Sequence, residues 1–118
     1  MIGEIRQQWL HGFLELCLLS LLAERKDYGV GLMERLAQAG FGEVPGGTLY
    51  PSLLRLEKHG LVYTTREPSP SGPPRKYYEL TEQGQAARVE RARAWRNFRT
   101  AVDAVTFNTQ GTLVEEPW

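Results

Sequence analysis

Residues 46–62, GGTLYPSLLRLEKHGLV, restrict the fold more than any other stretch of the chain. Leu49, Leu53 and Leu56 recur at i, i+4 and i+7, one apolar stripe of a short helix. Thr48, Ser52, Arg55 and Lys58 read as its opposite, polar face. Gly46 and Gly47 ahead of it let the helix start approach another surface closely. Pro51 is tolerated near an N-terminus, where the first amides lack intrahelical partners. Lys58 and His59 followed by Gly60 make a helix stop, with cations at the carbonyl end and then a residue able to take positive φ. LVYTTRE comes next, and its β-branched and aromatic residues predict a strand. A two-faced helix passing straight into a strand suits a probe that rests on a core and presents its other side to a groove.

The strand over 61–67 and a second over RKYYEL (75–80) are separated by PSPSGPP (68–74). That linker holds four prolines, two serines and one glycine, which predicts a tip in extended conformations and not a tight two-residue turn. Arg75 and Lys76 fall just past the tip, within reach of a phosphate backbone. The competing reading is a pair of edge charges that discourage strand-to-strand association.

Upstream, Trp9, Leu10, Phe13, Leu14, Cys17, Leu18, Leu21 and Leu22 repeat at three and four over a long first helix, 5–24. Leu16 and Leu19 widen its apolar arc, so it is expected to be covered on more than one side, with a second subunit as the economical cover; the alternative is that the second and third helices and the sheet suffice. Arg25 and Lys26 close it, and Asp27 is placed to cap the next helix. That second helix runs from about Tyr28 to Ala39, with Val30, Met33, Leu36 and Ala37 inward, and Gly40 ends it. The second helix, a turn around 41–47 and the helix after it form a helix-turn-helix, and the hairpin behind them is a wing.

Thr81 is placed to cap a fourth helix, Glu82 to about Phe107, with Glu82 favourable in its first turn. Trp95, Phe98, Val102 and Val105 fall at i, i+3, i+7 and i+10, a narrow seam at the end of the chain. Arg88, Arg91, Arg93, Arg96 and Arg99 cover the other sides together with Glu82, Glu90 and Asp103, a solvated face. Such a helix packs best on its copy in a partner subunit. The tail, 108–118, has no period and is expected to be mobile or loosely docked.

Composition bounds the partners. The formal net charge of the 118 residues is zero, which supplies no general attraction to nucleic acid. Placement matters more: residues 44–81 hold five cations against three acids, a local excess of +2. Cys17 is the single cysteine; it permits no intrachain disulfide and reads as a buried thiol of a reducing cytosol. MIGEIRQQW has no basic patch leading into an apolar run, and the stretch Phe13–Leu22 is about half the ~20 residues that a membrane span needs. A cytoplasmic protein without a membrane partner is the expectation. His11 and His59 lie near no set of metal ligands, and there is no GxSxG, Walker loop, CxxC or dinucleotide fingerprint. No catalytic residue, metal or cofactor is assigned.

Three segments carry a family resemblance: LLSLLAERKDYGVGLMERL (18–36), GTLYPSLLRLEKHGLV (47–62) and SGPPRKYYELTEQG (71–84). The chain resembles the PadR family of transcriptional regulators, bacterial winged-helix repressors, in the small subfamily with one C-terminal helix. The resemblance implies a mainly α (α+β) winged helix-turn-helix with a two-stranded wing and a long C-terminal dimerisation helix. It further implies a homodimer on a (pseudo)palindromic operator, with the first and last helices intertwined, released by a small aromatic or cationic effector. One departure stands out: Val30 and Gly31 follow Gly29 where the family commonly has an aromatic residue and then a glutamate.

By that resemblance, residues 1–81 form the DNA-binding domain, 82–107 the dimerisation helix and 108–118 the tail. Double-stranded DNA is the expected partner, contacted by Thr48, Tyr50, Ser52, Arg55 and Lys58 from the third helix and by Arg75 and Lys76 from the wing. Arg55, whose fork pairs bidentately, is the leading candidate for a guanine or phosphate. Trp9, Phe13 and Trp95 are the expected effector-binding residues. Leu10, Leu14, Trp95, Phe98, Val102 and Val105 are the expected dimer interface. The rival is a winged helix that binds only protein.

Overall fold

The computed structural model describes residues 2–107, with side chains from Trp9 onward, His11 excepted. The expectation for the tail, 108–118, lies outside the described residues. Four helices and three short strands follow in the order α1 Ile2–Glu24, β1 Asp27–Tyr28, α2 Gly29–Leu36, α3 Gly46–Lys58, β2 Val62–Ser69, β3 Gly72–Leu80 and α4 Glu82–Thr106. The chain divides into two compact units, one ending at Arg88 and the other beginning at Val89. No helix among the described residues is long and apolar enough to cross a membrane.

The first unit is built on leucines. Leu14, Leu18, Leu19 and Leu22 of α1 meet Leu32 and Leu36 of α2, Leu49, Leu53 and Leu56 of α3, and Val62 and Tyr78 of the sheet in one buried cluster. Leu10 belongs to the same cluster. Leu10 and Leu14 are therefore corrected as interface residues: their own chain already buries them, at 7% and 1% exposure. Part of the apolar arc of α1 is thus covered by its own chain, while Trp9 stays exposed and Phe13, Leu16 and Leu21 half-buried.

Asp27 does not cap α2 as expected. It pairs with Tyr78 in a two-residue strand, and the sheet order is β1-β3-β2. Its carboxylate accepts from the Tyr28 amide and meets Arg35 Nη1 at 3.1 Å. Arg35 Nη2 also donates to the Leu21 carbonyl at 2.8 Å and to Glu24. One guanidinium thus ties the end of α1, β1 and α2 together. A Cβ on Gly31 would overlap the Asp27 carboxylate, so the glycine that departs from the family pattern is what leaves space for this pair. The second helix ends earlier than expected and unwinds through a π-helical turn, Ala37–Phe41, in which Gly40 takes φ 111°.

The wing is longer than the sequence suggests, and its tip is tighter. Ser69 pairs directly with Gly72, leaving Pro70 and Ser71 as a two-residue turn. Prolines do not end these strands because they sit where the ladder is interrupted. The register shifts between Glu67 and Ser69, so Pro68 faces Pro73 and Pro74, and none of the three has an N–H to lose. At the other end of β3, Thr81 caps α4 as expected: its Oγ1 accepts the Gly84 amide at 3.0 Å and donates to the Gly60 carbonyl.

Candidate nucleic-acid interface

Helix α3 begins at Gly46 with Pro45 as its N-cap, so both glycines lie inside it. Its buried positions are Leu49, Ser52, Leu53 and Leu56, spaced at i, i+3, i+4 and i+7. Ser52 is the first correction to the expected contact set. It is 3% exposed, because its position lies on the leucine stripe whatever its polarity. Its hydroxyl donates to the Thr48 carbonyl at 3.3 Å and accepts from Arg55 Nη2 at 3.0 Å. Ser52 therefore holds Arg55 from below and does not reach outward.

Arg55 is half exposed, and its guanidinium is partly committed. Nε donates to Glu15 of α1 at 3.1 Å while Nη2 donates to Ser52. An ion pair this open to water contributes little to stability; what it does is hold the fork in one orientation. Thr48 is half-buried at the edge of the helix. The exposed positions are Gly47, Tyr50, Pro51, Leu54, Arg55 and Lys58, the face 180° from the leucines. Pro51 stands in the second turn, deeper than the expected tolerance, and the α3 ladder lacks one bond, to the Gly47 carbonyl. Tyr50 leans over the start of α2, where a Cβ on Gly29 would overlap its ring.

Arg75 and Lys76 do not act as a pair at the tip. Strand alternation sends them to opposite faces. Arg75 lies with its guanidinium 4.5 Å from the centroid of the Tyr28 ring, and Tyr28 in turn packs on Tyr77 at 5.5 Å. Lys26 continues this outer ladder, 5.9 Å over the Tyr77 ring and 2.7 Å from Glu67. The hydrogen bond to Glu67 holds the Lys26 amine above its ordinary pKa. Lys76 is on the face shared with Tyr78 and Val62, 3.8 Å from Glu57 of α3. Arg66 stands directly opposite it in the register. The cations that the fold brings together beside α3 are Arg66 and Lys76, with Lys58 on the helix itself.

Pro51, Leu54 and Arg66 stand exposed on these faces and were not among the expected contact residues. A strict helical wheel finds the first two, since 47, 51, 54 and 58 share one stripe, and the strand period finds the third.

In the second unit, α4 presents Trp95, Phe98, Val102 and Val105 at 38%, 54%, 41% and 82% exposure. The Trp95 and Phe98 rings are 6.3 Å apart. Phe13 is half-buried and Trp9 is 68% exposed.

A third helix seated on two others, followed at once by a two-stranded hairpin, defines a winged helix-turn-helix. The chain belongs to the family described as "Transcriptional regulator PadR-like family", which matches residues 18–90. It is similar to Transcriptional regulator Rv3488 of Mycobacterium tuberculosis, 38% identical over 72 residues that make up 61% of this chain and 65% of that one. The match therefore spans just under two thirds of that relative's length. Among solved structures it is similar to a PadR-like transcriptional regulator from Bacillus cereus, at 37% identity and a TM-score of 0.75, over 83% of this chain and 95% of that one. A PadR family transcriptional regulator from Eggerthella lenta gives 34% identity and a TM-score of 0.71, over 86% and 85%. The family is one of transcriptional regulators, not of enzymes.

Proposed function

We propose that this chain is a cytoplasmic, homodimeric repressor that binds a palindromic operator in double-stranded DNA. The observation that carries the reading is α3: it buries Leu49, Leu53 and Leu56 and keeps its opposite face open along its length, beside the cations of the wing. Tyr50, Arg55 and Lys58 enter the major groove, with Thr48 at the margin, while Lys76 and its neighbour Arg66 meet the flanking phosphates. Ser52 and Arg75 act from behind, the first by aiming Arg55 and the second by bracing the wing on Tyr28. The exposed seam Trp95–Phe98–Val102–Val105 joins two copies and sets the separation of the two α3 helices.

The experiment is a gel shift with the DNA immediately upstream of the chain's own gene, over a salt series. Retention that weakens steeply with salt, and a smaller salt slope for Lys76→Ala, support the reading. No retention at low salt overturns it in favour of a winged helix that binds protein. A second reading, compatible with the first, is favoured by the exposed ring of Trp95. A flat aromatic or cationic effector stacks on it and shifts the dimer away from the operator-fitting form. Quenching of tryptophan fluorescence on addition of such compounds, with loss of the gel shift, is its test.

A further inference from the structure

The outward face of α3 is poor in hydrogen-bond donors. Along its centre run Gly47, Pro51, Leu54 and Lys58, with Tyr50 on one margin and Arg55 on the other. Leu54 is 49% exposed and Tyr50 43%. Of the polar side chains expected to read bases, Ser52 is buried and Thr48 half-buried. The Arg55 fork has Nε and Nη2 engaged by Glu15 and Ser52. The pairings that distinguish guanine and adenine in the major groove use an arginine fork, a lysine or an amide, and besides the engaged Arg55 this face offers Lys58 alone, at its C-terminal end. This face has no Asn or Gln at all. What it does offer is an aliphatic side chain, a proline ring and a tyrosine edge in one row. The major-groove feature matched by such groups is the C5-methyl of thymine.

We infer that Leu54, with Pro51 and Tyr50 beside it, selects thymines in each half-site by packing on their C5-methyl groups. This rests on the DNA-binding reading and names what that helix reads. Lys58 follows Leu54 by one turn on the same stripe and anchors the helix to a phosphate, so the apolar contact is held at base depth. Affinity and selectivity are thereby separated: cations on α3 and the wing hold the duplex, and the apolar row chooses among sequences.

The operator sequence need not be known for the test. A pool of duplexes with a randomised centre is enriched on the full chain. The winning duplex is then remade with deoxyuridine at each thymine in turn, which removes one methyl and leaves every charge and hydrogen-bonding group in place. The inference predicts that a subset of thymines in each half-site is sensitive, with about fourfold weaker binding per methyl removed, and an unchanged salt slope. In Leu54→Ala the penalty at one of these thymines disappears while the duplex is still retained. Because Leu54 is exposed, circular dichroism and unfolding of this variant stay close to those of the parent. Uniform tolerance of uracil, or a Leu54→Ala protein that keeps every penalty, overturns the inference and leaves DNA binding intact. A chain that enriches no duplex overturns both, and its apolar row then belongs to a protein partner.

Discussion

Gly84→Ala has an effect whose sign separates tertiary packing from helix propensity. Gly84 lies in the first turn of α4 and is buried. In an unpacked helix, alanine is better than glycine by about 1 kcal/mol. Here a Cβ would fall on the Leu61 carbonyl oxygen, 2.9 Å from its carbon and 3.2 Å from Leu80 Cδ2. That carbonyl accepts the Thr81 amide at 3.1 Å, and the Leu61 amide donates to Leu56 at 2.9 Å, so the obstacle is pinned backbone. Relief requires the start of α4 to move, which costs about 1–3 kcal/mol for the misfit and about 1 kcal/mol for the Thr81 cap. After subtracting the propensity gain, the net loss is about 2 kcal/mol, or roughly 8 °C in Tm for a domain of this size. Gly47→Ala is the control, since nothing lies within 4 Å of its Cβ; it gains about 0.5–1 kcal/mol. Thermal unfolding followed by circular dichroism, at one fixed protein concentration, reads both. A Gly84→Ala protein as stable as its parent, or more so, refutes the packing of the α4 start on the base of the hairpin.

Asp27→Ala leaves Arg35 buried without its main partner and lowers the urea-unfolding free energy by about 3 kcal/mol; a loss under about 1 kcal/mol would mean that the pair is solvated. Glu15→Ala frees the Arg55 Nε and strengthens binding to the enriched duplex severalfold, and the same change in an Arg55→Gln background has no such effect, as a double-mutant cycle in the gel shift reveals. Burial pushes the Cys17 thiol above its ordinary pKa. The folded state therefore holds this proton more tightly than the unfolded state does. The associated stability is complete below the ordinary thiol range and is lost as pH climbs through the raised value. Alkylation by iodoacetamide at about pH 8, near the ordinary thiol pKa, is correspondingly slow in the native protein and fast in urea; equal rates would place the thiol in solvent.

The elements with strong period were legible in the sequence. The leucine stripe of α3, its Gly60 stop and the Thr81 cap all follow from local chemistry, and the structure uses each in that way. β1 left no trace, because two residues carry no alternation and only pairing with Tyr77 and Tyr78 makes them a strand. Asp27 looked like a cap since caps are local, whereas its partner Arg35 is eight residues on and becomes decisive only once both are buried. The prolines of the wing masked the strand ends, as a proline at a bulge loses nothing. Ser52 was expected outward and Leu54 was passed over for one reason: polarity was allowed to outweigh helical position. Spacing alone sends Ser52 inward and Leu54 outward. The burial of Leu10 and Leu14 within their own chain depends on how α1 packs, which no pattern along one helix reveals.

In the proposed dimer, two α3 helices meet successive major grooves on one side of a duplex. A hydroxyl-radical footprint at saturating protein, on the enriched duplex or on the upstream DNA, reads that spacing. Two symmetric protected patches are expected, centred one helical turn apart, about 34–36 Å, and both lost in Phe98→Asp. A single patch, or protection that survives that substitution undiminished, would contradict it.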